Sequence, residues 1–185
     1  MTRIVAGRAG GRVLRVPPKG TRPTTELVRE ALFNALEAAG ELDGVRVLDL
    51  YSGSGALGLE ALSRGAREAV FVEADRTAAE ILRRNIATVG LGGVVRQGRA
   101  ETVVAEPAGE PFELVLADPP YAVDADTLGV VLGRLVDNGW LAPGALVVVE
   151  RRMHDGPPVW PDALRVLRTR TYGDNALFRA EYEPS

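Results

Sequence analysis

Apolar residues along this chain switch between two spacings, and the switches outline its elements. Residues 3–7 and 12–16 alternate apolar with polar around Gly10-Gly11, which predicts a small β-hairpin. Residues 17–23, PPKGTRP, predict a loop. From 25 to 40 the apolar positions Leu27, Val28, Ala31, Leu32, Ala35 and Leu36 repeat at helical spacing. Thr24 or Thr25 caps that helix and Gly40 ends it. Beyond it, apolar runs at 45–50, 69–75, 94–98, 112–121 and 144–151 predict buried strands, separated by helices at 56–64, 76–90 and 126–140. The tail from 164 to 182 predicts two strands around a turn at Gly173-Asp174.

Strands alternating with helices predict an α/β fold. Its sheet is mostly parallel and seven-stranded, with right-handed crossovers and an antiparallel C-terminal edge hairpin. The length of 185 residues suits one such domain, expected over 21–185, with a small N-terminal arm over 1–20. An apolar fraction of 46% supplies a core without staples. Cysteine is absent, so disulfides, thiolate nucleophiles and cysteine-held metals are excluded. No apolar run is long enough for a signal peptide or a membrane span, which fits a cytoplasmic monomer that touches no membrane.

Net charge is −3, which alone argues against nucleic acid. Its distribution argues the other way. Before Glu26 the chain carries Arg3, Arg8, Arg12, Arg15, Lys19 and Arg22 and no acid. A basic arm on an acidic body reads as a phosphate-binding face. The plain alternative is a solvated tail.

Gly53, Gly55 and Gly58 form the Gly-x-Gly-x-x-Gly turn that follows the first strand of a ligand-binding α/β sheet. Glycine lets backbone approach a ligand closely, and the helix that follows offers amide groups. Glu73 ends the next strand, about twenty residues on, where a carboxylate accepts bonds from ribose hydroxyls. These features serve NAD and S-adenosylmethionine equally. Asp49 separates them. It lies inside the strand, before the glycines, and would repel a pyrophosphate while suiting the ammonium of an amino-acid ligand. S-adenosylmethionine is favoured.

The second motif, ADPPY at 117–121, ends another strand and faces the same cleft. Asp118 is an acceptor. Pro119 and Pro120 lack N–H groups and stiffen the loop, and Tyr121 offers a flat ring. Acceptors beside an aromatic platform suit an exocyclic amine on a planar base. The Asp118 carboxylate and the Pro119 carbonyl hold its two hydrogens, and Tyr121 stacks on the base. No metal is required. Two other readings stay open, a nicotinamide oxidoreductase and an RNA-binding assembly factor without activity. His154, the only histidine, reads as a surface residue. Arg151 and Arg152 are divided between RNA phosphate and plain solvation. Trp140 and Trp160 read as core fillers.

DLYSGSG with DPPY resembles the class I S-adenosylmethionine-dependent amino-methyltransferases. The stretch GGRVLRVPPKGTRPTTELVREALFNAL with YGDNALF resembles one family among them, the 16S ribosomal RNA guanine-N2 methyltransferases that modify the guanine at position 966. The likeness runs from about Arg3 to Tyr182. It implies a Rossmann-like fold, 16S RNA or the assembling small ribosomal subunit as partner, and S-adenosylmethionine as cofactor. The methionine moiety then lies among Asp49, Gly53, Ser54 and Gly55, with Tyr51 and Ser52 in the same loop. Glu73 and Ala74 meet the ribose, and Asp118, Pro119, Pro120 and Tyr121 surround the target amine. Arg22-Pro23-Thr24 is placed near the cleft. Family members often carry an acid after the third parallel strand. Here Arg99 precedes Ala100, so the adenine contact falls to the Ala100 backbone or to Glu101.

Overall fold

The computed structural model describes residues 1–18 and 24–185. Two short strands, β1 (Thr2–Arg3) and β2 (Val13–Leu14), pair antiparallel. The expected hairpin is therefore present, but its ladder is only two residues long. Helix α1 (Glu26–Ala38) follows, capped by the Thr25 hydroxyl, which accepts from the Val28 amide. Thr24 is left for another task.

Next come β3 (Arg46–Leu50), α2 (Ala56–Ser63), β4 (Glu68–Glu73), α3 (Arg76–Val89) and β5 (Val94–Gln97). The chain then passes through α4 (Ala100–Val103), β6 (Phe112–Ala117), α5 (Ala125–Asp137) and β7 (Leu141–Arg152). The single turn α4 is too short to leave a periodic trace and has no counterpart among the expected elements. Asp75 caps α3 and Asp124 caps α5, each through a side chain accepting an amide three residues on.

Strands run in the order β5-β4-β3-β6-β7, all parallel, and continue to β10 (Asn175–Tyr182), which is antiparallel to β7. Two pieces, β8 (Leu164–Val166) and β9 (Arg170–Tyr172), share the far side of β10. The edge position is thus one broken strand, and eight strands fill seven places. The antiparallel strand lies one place in from the edge. Its edge neighbours run in the direction of the parallel strands.

Alternation along the strands feeds two cores. Val47, Phe71, Leu116 and Val148 pack under α1, α2, α3 and the N-terminal hairpin. Leu48, Val72, Val115 and Val149 pack under α4 and α5, where Trp140 stacks on Phe112. Parallel strands covered on both faces read as the continuous apolar runs seen in the sequence.

The first eighteen residues are bolted to the body. Ile4 and Leu14 are fully buried in the larger core. Buried Glu60 on α2 accepts from the amides of Val5 (2.8 Å) and Ala6 (3.1 Å), from Arg29 Nε (3.4 Å) and from Arg64 Nε (2.9 Å). Arg29 in turn donates to the Arg3 carbonyl and to Thr2. Removing one member of a buried, hydrogen-bonded charge cluster strands the others without solvent. Glu60→Ala is expected to lower unfolding stability by about 3–5 kcal/mol in denaturant titration. A loss under ~1 kcal/mol would show that the arm docks by its apolar residues alone.

Candidate active site

The topology reverses direction beside β3, between β4 and β6, and a crevice opens there at the carboxyl ends of the strands. Register sets what faces it. Leu50 pairs with Val72 and Ala117, and Ala117 pairs with Val149. The next residues, Tyr51, Glu73, Asp118 and Glu150, therefore stand side by side at four neighbouring tips. Two hollows meet at Tyr51. One is lined by Val16, Pro17, Thr24, Ser54, Leu57 and Asp118. The other, of about 200 Å³, is lined by Val72, Glu73, Ala74, Arg99, Glu101 and Pro120.

Asp49 alternates away from Leu48 and Leu50, so it points under α2. It accepts the Gly58 amide, the third of the helix, at 3.0 Å. It thus caps the helix from a neighbouring strand, in place of a local capping side chain. A Cβ on Gly58 would lie 2.4 Å from Phe71 and 3.1 Å from Asp49, so this glycine permits the close approach. Burial pushes the Asp49 carboxyl well above the usual carboxylate range. The Gly58 bond pulls it back in part, and the charges of Asp118 and Glu73 raise it further.

The glycine loop is braced by Glu73, which accepts the Gly53 amide at 2.7 Å and the Asp75 amide at 2.8 Å. Each carboxylate oxygen takes more than one hydrogen bond, so Glu73 keeps capacity for ribose hydroxyls. Gly55 adopts φ +84°, and Ser52 donates to the Asp49 carbonyl. Tyr51 has φ +58°, an unusual conformation for a non-glycine residue and a strained one at the centre of the cleft. Its buried hydroxyl has no hydrogen-bond partner among the described residues, and burial, with the Glu101 charge nearby, pushes its pKa up.

At the tip of β6, the Thr24 hydroxyl lies 2.6 Å from Asp118 Oδ2 and 2.7 Å from Glu150 Oε2. Neither contact was legible in the sequence, since the three residues lie far apart along the chain. Among the residues of the Arg22-Pro23-Thr24 segment, Thr24 is the one described, and it does reach the cleft. Arg22 and Lys19 lie outside the described residues. Pro119 is buried, and the Pro120 carbonyl closes a turn with the Val123 amide at 3.0 Å. Tyr121 is exposed, and the Arg152 guanidinium sits 3.9 Å from its ring centre. Arg152 also pairs with Asp155 at 2.8 Å. Arg151 is buried and donates to the carbonyls of Asp155, Gly156 and Pro157, so neither reading of it as a surface charge holds. His154 is exposed, 3.3 Å from Asp155.

Arg99 is the residue before α4, and both it and Ala100 line the larger hollow with Glu101. Arg3, Arg8, Arg12 and Arg15 are exposed. Arg3 pairs with Glu26, and Arg12 donates to the Thr88 carbonyl. Among the described residues no group of acids and histidines is arranged to hold a metal, and no helix is long and apolar enough to cross a membrane.

The strand order and the strand-tip cleft define a class I methyltransferase fold. The chain belongs to the family described as conserved hypothetical protein 95, matched over residues 2–180. It is 41% identical over 176 residues to ribosomal RNA small subunit methyltransferase D of Escherichia coli strain K12, covering 94% of this chain and 86% of that protein. Its identity to the protein of the same name from Haemophilus influenzae is 36% over 177 residues, covering 92% and 89%. A solved Escherichia coli structure superposes with a TM-score of 0.87 at 38% identity, covering 99% of this chain and 98% of that one. An RNA methyltransferase of Salinibacter ruber, solved with S-adenosyl-L-homocysteine, shares the fold at a TM-score of 0.64 and 23% identity, covering 89% and 95%.

Because Asp49 is buried with a raised pKa, the folded state holds a proton that the unfolded chain releases from about pH 4 upward. Its contribution to stability is present below that pH and is lost as pH rises through the folded value. Asp49→Asn removes this dependence. Denaturant melts at about pH 5 and about pH 8 are expected to show the variant gaining on the native protein at the higher pH. An unchanged difference between the two would contradict the assignment.

Proposed function

We propose that this chain transfers a methyl group from S-adenosylmethionine to the exocyclic N2 amine of a guanine in 16S ribosomal RNA, in the cytoplasm, on naked RNA or an assembling small ribosomal subunit. The observation that carries the reading is Asp118, fixed by Thr24 beside the glycine loop and one strand away from the hollow under Glu73.

The residues fit the cofactor. Its adenosine suits the hollow of about 200 Å³, where Glu73 is placed for the ribose and Ala74, Arg99, Ala100 and Glu101 for the base. The orphaned Tyr51 hydroxyl leaves a bond for a polar ligand to complete. Asp49, Ser52, Gly53, Ser54 and Gly55 form the end suited to an amino-acid moiety. The cofactor supplies a methyl carried on positively charged sulfur.

The target amine is a weak nucleophile because its lone pair is shared with the ring. Asp118 and the Pro119 carbonyl hold its hydrogens and turn the lone pair outward. Their negative charge is already in place as positive charge grows on nitrogen, which lowers the barrier through preorganisation. Tyr121, stiffened by the Arg152 guanidinium on its ring, offers a platform for a base taken out of its stack. The arm supports the RNA side of this reading. Its exposed arginines sit on a rigidly docked hairpin whose end, Val16-Pro17, forms part of the cleft wall. Lys19 and Arg22 extend the same basic run.

Labelled methyl transfer to small ribosomal subunits lacking the modification, followed by nucleoside analysis, tests the proposal. N2-methylguanosine is expected. N6-methyladenosine, whose parent amine satisfies the same acceptors, would overturn the base assignment. Asp118→Ala is expected to cut turnover by about a hundredfold or more and leave S-adenosylmethionine affinity within about threefold. Lost affinity with normal turnover at saturation would move Asp118 out of the catalytic role.

A further inference from the structure

Methylating a neutral amine creates a proton that must leave nitrogen, and Asp118, which lines the cleft, is the acid placed to take it. Asp49 is buried beside it with its own charge suppressed, and a second buried acid, Glu150, stands on the next strand. Between Asp118 and Glu150 sits one hydroxyl, at 2.6 Å and 2.7 Å. A threonine hydroxyl has one proton to give and lone pairs to receive another. With an acid within hydrogen-bond distance on each side, it can pass a proton along without moving.

The geometry points to Thr24 and Glu150 as the path that draws the proton released by methyl transfer off Asp118, a role that rests on the reading of Asp118 given above. The nitrogen–carbon bond forms as the carbon–sulfur bond breaks, and the electron pair of the latter stays on sulfur. The nitrogen, now positive, gives one proton to Asp118. Asp118 hands it to the Thr24 oxygen, and Thr24 gives its own hydroxyl proton to Glu150. Asp118 is a carboxylate again, Thr24 is again a neutral alcohol, and Glu150 is a neutral acid until the products leave and the proton returns through Thr24 and Asp118 to water in the cleft. Charge and atoms balance, and no further reactant is needed.

The arrangement also explains two features that the cofactor and the base do not. Glu150 is a buried acid that follows three valines in β7, and the Thr24 hydroxyl lies against its carboxylate. Thr24 is adjacent to the residue that caps α1, yet its hydroxyl turns from the helix to the sheet. It also joins α1 to the basic segment 17–23.

The test is steady-state methyl transfer on unmodified small ribosomal subunits with Thr24→Val, Thr24→Ser, Glu150→Gln and Asp118→Asn, alongside S-adenosylmethionine affinity and thermal melting. Thr24→Val and Glu150→Gln are expected to lower kcat on the order of a hundredfold, leaving KM for S-adenosylmethionine within about twofold. Thr24→Ser, which restores the hydroxyl, is expected to recover most of the loss. If Thr24→Val does not fold, Glu150→Gln decides alone, because it keeps the volume of the side chain and an oxygen that can accept from Thr24. Native kcat in Glu150→Gln with Asp118→Asn inactive overturns this path and keeps the role of Asp118. Failure of serine to restore what valine loses also overturns it. An active Asp118→Asn overturns the underlying reading instead.

Discussion

Four acids crowd the carboxyl ends of neighbouring strands, three at the tips and Asp49 just inside, and an array of donors makes that crowding tolerable. Asp49, Glu73, Asp118 and Glu150 come from β3, β4, β6 and β7, and all but Asp118 are buried. Like charges gathered in a low dielectric repel strongly unless donors or protons offset them. Here the donors are specific. The Gly58 amide takes Asp49, the Gly53 and Asp75 amides take Glu73, and the Thr24 hydroxyl lies between Asp118 and Glu150. The glycine turn, the helix start and the entry to α1 are each tied to one of these acids. The negative edge that results suits the positively charged sulfonium of S-adenosylmethionine.

The same logic runs through the other end of the molecule. Glu60 collects Arg29, Arg64 and two amides of the first strand turn, so the basic arm is held in one pose against α2. The arm begins at that cluster and ends at the cleft wall with Val16 and Pro17. The docked hairpin and Asp118 thus share one wall of the cleft. An arm fixed in advance is spared the ordering cost that a free tail meets on binding any partner.

Much of this was legible in the chain. Apolar runs gave the parallel strands, and apolar spacing, with Thr25 as cap of the first helix, gave helix starts close to those observed. The positions of Gly53, Glu73 and Asp118 at strand ends follow from local pattern alone. Contacts between distant residues were not legible. Nothing near Thr24 signals Asp118, and nothing in VVVE marks Glu150 as facing the cleft, because sheet register decides both. The part played by Asp49 was half visible. Its place in the strand was clear, but alternation sends it to Gly58 and leaves the loop to Glu73. The broken edge of β8 and β9 escaped because three-residue strands carry too little periodicity.

A crystal structure with S-adenosyl-L-homocysteine bound tests the central claim most directly. The account predicts ribose hydroxyls on Glu73, the base in the hollow walled by Tyr51 and Glu101, and the sulfur turned toward the Thr24–Asp118 side. A ligand seated elsewhere, or one whose sulfur faces away from Asp118, would contradict it.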